Sequence, residues 1–63
     1  MTYKEAVKKL RLKILMTQEE FVKLLDVSFA TINRWETGKY DPTIKARRKL
    51  QPYFEKYNIK VDE

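Results

Sequence analysis

Residues 17–36 read TQEEFVKLLDVSFATINRWE, and the punctuation of this stretch decides the fold. Thr17 stands where a helix N-cap belongs. Glu20, three residues on, is placed to reach back to the Thr17 amide and close a capping box. Met16 and Phe21 hold the two positions of a hydrophobic staple. Phe21, Leu24 and Leu25 then line one helical face. Asp26 interrupts that pattern, and Asp is one of the few residues besides Gly that visits the left-handed region at modest cost. Ser28 is a second N-cap, with Val27 and Ile32 at the staple positions around it. Ile32 and Trp35 continue an apolar stripe, and Gly38, the only glycine, stands just past the expected helix end. Two caps this close leave no room for a long loop. The second helix must cross the first steeply, which is a helix-turn-helix.

The rest of the chain reads as support for this unit. Thr2 and Glu5 repeat the capping box, and Tyr3, Ala6, Val7, Leu10 and Ile14 recur at spacings of three and four. They predict an amphipathic first helix running to about Leu15. Lys4, Lys8, Lys9 and Lys13 fall on its other faces and read as solubilising charge. Arg11 lies near the apolar stripe and needs a partner if it is covered. After Gly38, the run Lys39-Tyr40-Asp41-Pro42-Thr43 has loop chemistry. Asp41 or Thr43 can cap the next helix, and Pro42 suits a first-turn position. This last helix begins near Thr43, with Ile44, Ala46, Leu50, Tyr53, Phe54 and Tyr57 at helical spacing through Pro52. Either one kinked helix spans 43–57 or two short ones meet at 51–52. The unbroken apolar phase favours the kink. Asn58 suits a left-handed cap with Ile59 folding back on Phe54, and Lys60-Val61-Asp62-Glu63 reads as a frayed end. The chain is therefore divided into an all-α domain of four or five helices over residues 1–58 and a short tail over 59–63.

Composition narrows the function. Sixty-three residues make one domain, with no cysteine and no histidine. No disulfide or thiolate metal site can staple it, and the commonest general base and metal ligand is missing. No cofactor or metal is implied and an enzyme is not expected. No apolar run approaches a membrane span and no signal peptide pattern opens the sequence, so a cytoplasmic location is expected. The net charge is +5. Residues 1–16 carry five basic groups and one acidic, residues 17–36 two basic and four acidic, and residues 37–51 five basic and one acidic. The helix-turn-helix is itself slightly acidic, and the positive field comes from its flanks. This suits a polyanion held at the rims of a contact surface.

The run MTQEEFVKLLDVSFATINRWETGKYDP resembles the helix-turn-helix family of phage Cro and CI repressors and their bacterial regulator relatives, the XRE-like regulators. The matching features are Thr17-Gln18, Leu25, Val27, Ser28, Ile32 and Trp35-Glu36-Thr37-Gly38-Lys39, and the likeness covers roughly residues 4 to 50. Val22 departs from it, where a small residue is usual at the helix crossing, as does Asp26, where Gly is common. The resemblance implies a small lambda-repressor-like bundle that binds double-stranded DNA and regulates transcription. It also implies a structural ion pair between Arg11 and Glu36, and a phosphate contact at Gln18, where a helix N-terminus favours an anion.

A recognition helix reads bases with the outward side chains near its N-terminus. With Ser28 as cap and Ile32 and Trp35 facing inward, that set is Phe29, Ala30, Asn33 and Arg34, with Thr31 at the edge. Asn pairs with adenine, Arg with guanine, and Ala30 and Phe29 can pack on thymine methyls. Phe29 folds into the core or a dimer contact if it is not used so. Gln18, Ser28, Thr31, Lys39, Tyr40 and Thr43 are placed for phosphates, although Tyr40 can instead plug the core beneath its loop. Trp35 reads as core, and Arg47, Arg48 and Lys49 as a solvated basic face. Tyr53, Phe54 and Tyr57 offer a homodimer seam on a two-fold site. The alternative function is a protein-interaction module, antitoxin-like or the docking domain of a larger enzyme, using those aromatics.

Overall fold

A computed structural model describes residues 1–61. Among these the chain forms four helices and no strand: α1 (Tyr3–Lys13), α2 (Gln18–Leu25), α3 (Phe29–Thr37) and α4 (Ile44–Lys56). Each starts at a hydroxyl cap. Thr2, Thr17, Ser28 and Thr43 all sit in extended backbone, and each side-chain oxygen accepts the amide three residues on. The first two are full capping boxes, with Glu5 and Glu20 accepting the cap amides in return.

The four ends are equally alike. A residue with positive φ closes each helix: Leu15 at 55°, Asp26 at 54°, Gly38 at 80° and Asn58 at 55°. After α1, α3 and α4 this reversal folds two amides back onto the last turn. The pairs are Leu15 to Leu12 and Met16 to Arg11, Gly38 to Trp35 and Lys39 to Arg34, and Asn58 to Glu55 and Ile59 to Phe54. These are Schellman closures. Only one of the four positions is glycine, so three side-chain-bearing residues hold a backbone region that disfavours them.

The core takes Ala6, Val7 and Leu10 from α1, Phe21 and Leu25 from α2, Ile32 and Trp35 from α3, Ala46, Leu50 and Phe54 from α4, and Ile59 beyond it. Helix α3 packs against both α1 and α2, and α1 packs against α4. The helix that offers an outward face is thus held from two sides.

Several sequence expectations need correction. The first helix stops at Lys13, and Leu15 is 90% exposed in the turn beyond it. Leu24 and Ile44 fit apolar stripes by spacing, yet both are exposed. At about 100° per residue, Ile44 lies far round from Ala46, Leu50 and Phe54, whose spacing of four sets the true buried line. Pro42 is not in a first turn. It precedes the Thr43 cap and is buried. Helix α4 runs unbroken through Pro52, whose ring lies on the exposed side. Tyr40 is exposed and does not plug the core. Within the expected tail, Ile59 is buried and Val61 packs on the core. The frayed-end reading of Asp62 and Glu63 lies outside the described residues. Phe54 is only 3% exposed, so it belongs to this chain's own core and not to a dimer seam; Tyr53 and Tyr57 are half-buried beside it.

Candidate nucleic-acid interface

The outward face is set by what α3 buries. Ile32 and Trp35 point into the core, which fixes the rotation of the helix. Phe29, Ala30, Asn33 and Arg34 then lie exposed together, with Thr31 half-buried at the edge. At the start of the helix the Ser28 and Thr31 hydroxyls bond each other at 2.8 Å, and Ser28 Oγ also accepts the Thr31 amide at 3.1 Å. Phe29 is half exposed, so it is not folded into the protein's own core.

A half-buried polar cluster ties the helices together. Arg11 Nε donates to Glu36 Oε2 at 2.8 Å, and Arg11 Nη2 to Glu36 Oε1 at 3.0 Å. Gln18 Nε2 donates to the same Oε1 at 3.3 Å, and Arg11 Nη1 donates to the Met16 carbonyl at 3.2 Å. One guanidinium thereby joins α1, the turn before α2 and the last turn of α3. The hydrogen bonds that Arg11 donates to Glu36 push its pKa above the already high ordinary value. Gln18 is half-buried, and its amide nitrogen turns inward to Glu36. Thr17 Oγ1 takes the Glu20 amide, so the Gln18 and Glu19 amides stand at the free N-terminal end of α2.

The other edge is built by the loop after α3. The positive φ of Gly38 turns the chain back, and the Arg34 carbonyl accepts the amides of Lys39 at 3.0 Å and Tyr40 at 3.4 Å. Lys39, Tyr40 and Thr43 are all exposed there. Thr43 Oγ1 is engaged by the Ala46 amide at 3.3 Å. The Arg34 guanidinium carbon sits 5.8 Å from the centre of the Tyr40 ring. A groove of about 300 Å³ runs between helix and loop, lined by Thr31, Arg34, Trp35, Tyr40, Asp41 and Thr43.

Three residues that read from sequence as plain surface make defined contacts. The stem of Lys4 lies against Gly38, so that a Cβ there would meet Lys4 Cδ at 3.1 Å. This places a basic side chain at the corner where α3 ends. Arg47 and Lys49 are not merely solvated. Arg47 Nε donates to the Pro42 carbonyl at 2.9 Å and its guanidinium lies 4.8 Å from the Tyr3 ring. Lys49 Nζ donates to the Leu25 carbonyl at 3.1 Å, closing the C-terminal end of α2. Apart from the bond of Arg47 to Pro42, five residues before it, these contacts have no local sequence signal, since each depends on where a distant helix lands.

Two capped helices crossing in a tight turn, the second braced from behind and open in front, define a small all-α helix-turn-helix domain. The chain belongs to the Helix-turn-helix family of the Cro and CI type, whose model matches residues 7–51. It is 40% identical over 48 residues to an uncharacterized HTH-type transcriptional regulator of Methanocaldococcus jannaschii, covering 76% of this chain and 68% of that protein. It is 39% identical over 57 residues to an uncharacterized HTH-type transcriptional regulator of Archaeoglobus fulgidus, covering 90% of this chain and 76% of that one. No solved structure matches the chain significantly. Membership makes it a DNA-binding regulator and not an enzyme. Among the described residues no helix is long and apolar enough to cross a membrane, and no group of three or more His, Cys, Asp or Glu is placed to hold a metal.

Proposed function

We propose that this chain is a sequence-specific regulator of transcription that inserts α3 into the major groove of duplex DNA in the cytoplasm. The observation that carries this reading is the single exposed face shared by Phe29, Ala30, Asn33 and Arg34 over a buried Ile32 and Trp35. Asn33 presents a donor and an acceptor suited to the adenine edge, and Arg34 the fork suited to guanine. Phe29 and Ala30 meet thymine methyls. Gln18 at the α2 N-terminus, Ser28 and Thr31 at the α3 start, and Lys39, Tyr40 and Thr43 in the loop grip the phosphates on either side. Arg11 and Glu36 serve the site from behind by holding α3 against α1.

The regulator acts as a homodimer on a two-fold symmetric site with half-sites about 34–36 Å apart. Its seam uses Tyr53 and Tyr57, whose rings are partly exposed, and not Phe54. The rival reading, an aromatic docking module, loses its central anchor with Phe54 buried.

Selection of binding sites from random duplexes tests the proposal. The expected result is a preferred sequence with two-fold symmetry. Affinity for it falls steeply with salt, by about 0.9 log unit per log unit of salt for each phosphate neutralised. Arg34→Ala should relax preference at one base pair, whereas Lys39→Ala should weaken all sequences alike. Selection that yields no preferred sequence refutes base reading, and salt-insensitive binding to a protein instead of DNA supports the rival.

A further inference from the structure

We propose that Tyr40 is a positioning residue for Arg34: its ring holds the guanidinium in the pose that reads a base, so the loop after the recognition helix sets specificity at that position. The inference rests on the base-reading role of Arg34 given above.

Three observations meet at this pair. The guanidinium carbon of Arg34 lies over the Tyr40 ring at 5.8 Å, within the range of a cation–π contact. The backbone of the two residues is also tied, because the Arg34 carbonyl accepts the amides of both Lys39 and Tyr40. That tie depends on the reversal at Gly38, the one glycine among the four residues that end helices with positive φ. Tyr40 is also 60% exposed and contributes little to the core, so the cost of presenting its ring to solvent is not recovered by packing.

The physical consequence comes from the freedom of an arginine. A free Arg on a helix surface samples many rotamers, and fixing one for a bidentate contact costs affinity. A ring that already restricts the guanidinium lowers that cost for the base that matches the held pose. It does nothing for the bases that do not. The ring therefore acts on discrimination, while the Tyr40 hydroxyl, at the far end of the side chain, acts on a phosphate and on affinity for every sequence. The two ends of one side chain have separable effects.

The test uses the full chain and the preferred duplex obtained by selection, with single-base-pair variants of it. Dissociation constants are measured for wild type, Arg34→Ala, Tyr40→Phe, Tyr40→Ala and the Arg34→Ala/Tyr40→Ala double variant. Thermal melts show whether Tyr40→Ala is folded. Tyr40→Ala should lose about two- to fivefold of the discrimination, and only at the base pair whose preference Arg34→Ala abolishes. Tyr40→Phe should keep that discrimination while weakening all duplexes equally. The double variant should discriminate no worse than Arg34→Ala alone. The proposal is overturned if Tyr40→Ala weakens every duplex by one factor, or if Tyr40→Phe loses as much discrimination as Tyr40→Ala. Failure of the underlying reading has a different signature, an Arg34→Ala variant whose base preferences match wild type, and that result removes both.

Discussion

Arg11 and Glu36, 25 residues apart, meet side-on in a two-pronged ion pair with N–O distances of 2.8 and 3.0 Å and side chains 16% and 7% exposed. No buried polar side-chain atom is left unpaired among the described residues. A pair so covered is costly to break, because the surviving charge stays behind without a partner. Glu36→Ala and Arg11→Ala should each cost about 3 kcal/mol. A domain of this size has on the order of 3–9 kcal/mol in total, so either variant approaches unfolding. Arg11→Lys should fall short of wild type, since an ammonium cannot span both carboxylate oxygens and the Met16 carbonyl. Replacing both partners with apolar residues should cost less than either single change. Denaturant midpoints for the four variants check this, and additive costs would show that the two residues do not act as a pair.

Leu15 carries a second stability effect. It holds φ of 55° and is 90% exposed, so its side chain gains almost nothing from the fold. The left-handed region costs an L-residue about 1–2 kcal/mol, and glycine escapes that at the expense of about 0.5–1 kcal/mol in unfolded-state entropy. Leu15→Gly should therefore stabilise the protein by about 0.5–1 kcal/mol, raising Tm by roughly 4 °C. Leu12, also exposed but inside α1, is the matched control, and Leu12→Gly should destabilise by about 1 kcal/mol. A drop in Tm for both would mean that the Leu15 side chain matters more than its backbone.

Which features are legible in the sequence depends on how local their causes are. The caps at Thr2, Thr17 and Ser28 announce themselves within four residues, because donor and acceptor are a fixed number of bonds apart. The exposed candidate face is legible for a related reason. Ile32 and Trp35 fix the phase of α3, and Phe29, Ala30, Asn33 and Arg34 take their places by rotation. Leu15 gives no such sign, since nothing in its type marks a left-handed position; the Arg11 bonds to Met16 on both its side chain and its carbonyl define the turn instead. Lys49 on the Leu25 carbonyl and Arg47 against Tyr3 and Pro42 are hidden for a third reason. Each joins α4 to a distant part of the chain, and a basic run looks the same whether its members are solvated or engaged. The burial of Phe54 is hidden too, because an aromatic cluster does not say which of its rings points inward.

The two capping boxes make stability depend on acid pH. Glu20 is held below the ordinary carboxylate range by the hydrogen bond from the Thr17 amide and then by the Thr17 hydroxyl, and Glu5 in the same way by Thr2. A carboxyl with a depressed folded-state pKa binds its proton more readily when unfolded. Its contribution is therefore complete above the unfolded value of about 4.3 and disappears as pH falls through the lower folded value. The variant Glu5→Gln/Glu20→Gln keeps an oxygen acceptor for each cap but cannot titrate. Its Tm should fall less steeply than wild type below about pH 4.3 and run parallel to it near neutrality. Acid limbs of equal slope would show that these carboxyls are not held by the caps in solution.

Phe29 separates function from fold most directly. It opens α3 with its ring 52% exposed, whereas Phe21 on α2 is fully buried. Phe21→Ala should cost about 3–5 kcal/mol of stability, the usual loss for a core phenylalanine. Phe29→Ala removes an exposed ring at the first turn of a helix and should change stability by no more than about 0.5 kcal/mol. If the ring meets thymine methyls or sugar, covering it in the complex contributes on the order of 1–2 kcal/mol, so affinity for the preferred duplex should fall roughly tenfold. The salt slope should stay unchanged, because no phosphate contact is lost. Melting curves and titrations at two or more salt concentrations give all three quantities on one sample. A variant that melts several degrees lower, or that binds with a shallower slope and loses its affinity chiefly at low salt, would place Phe29 in the fold or on the backbone instead of at the bases.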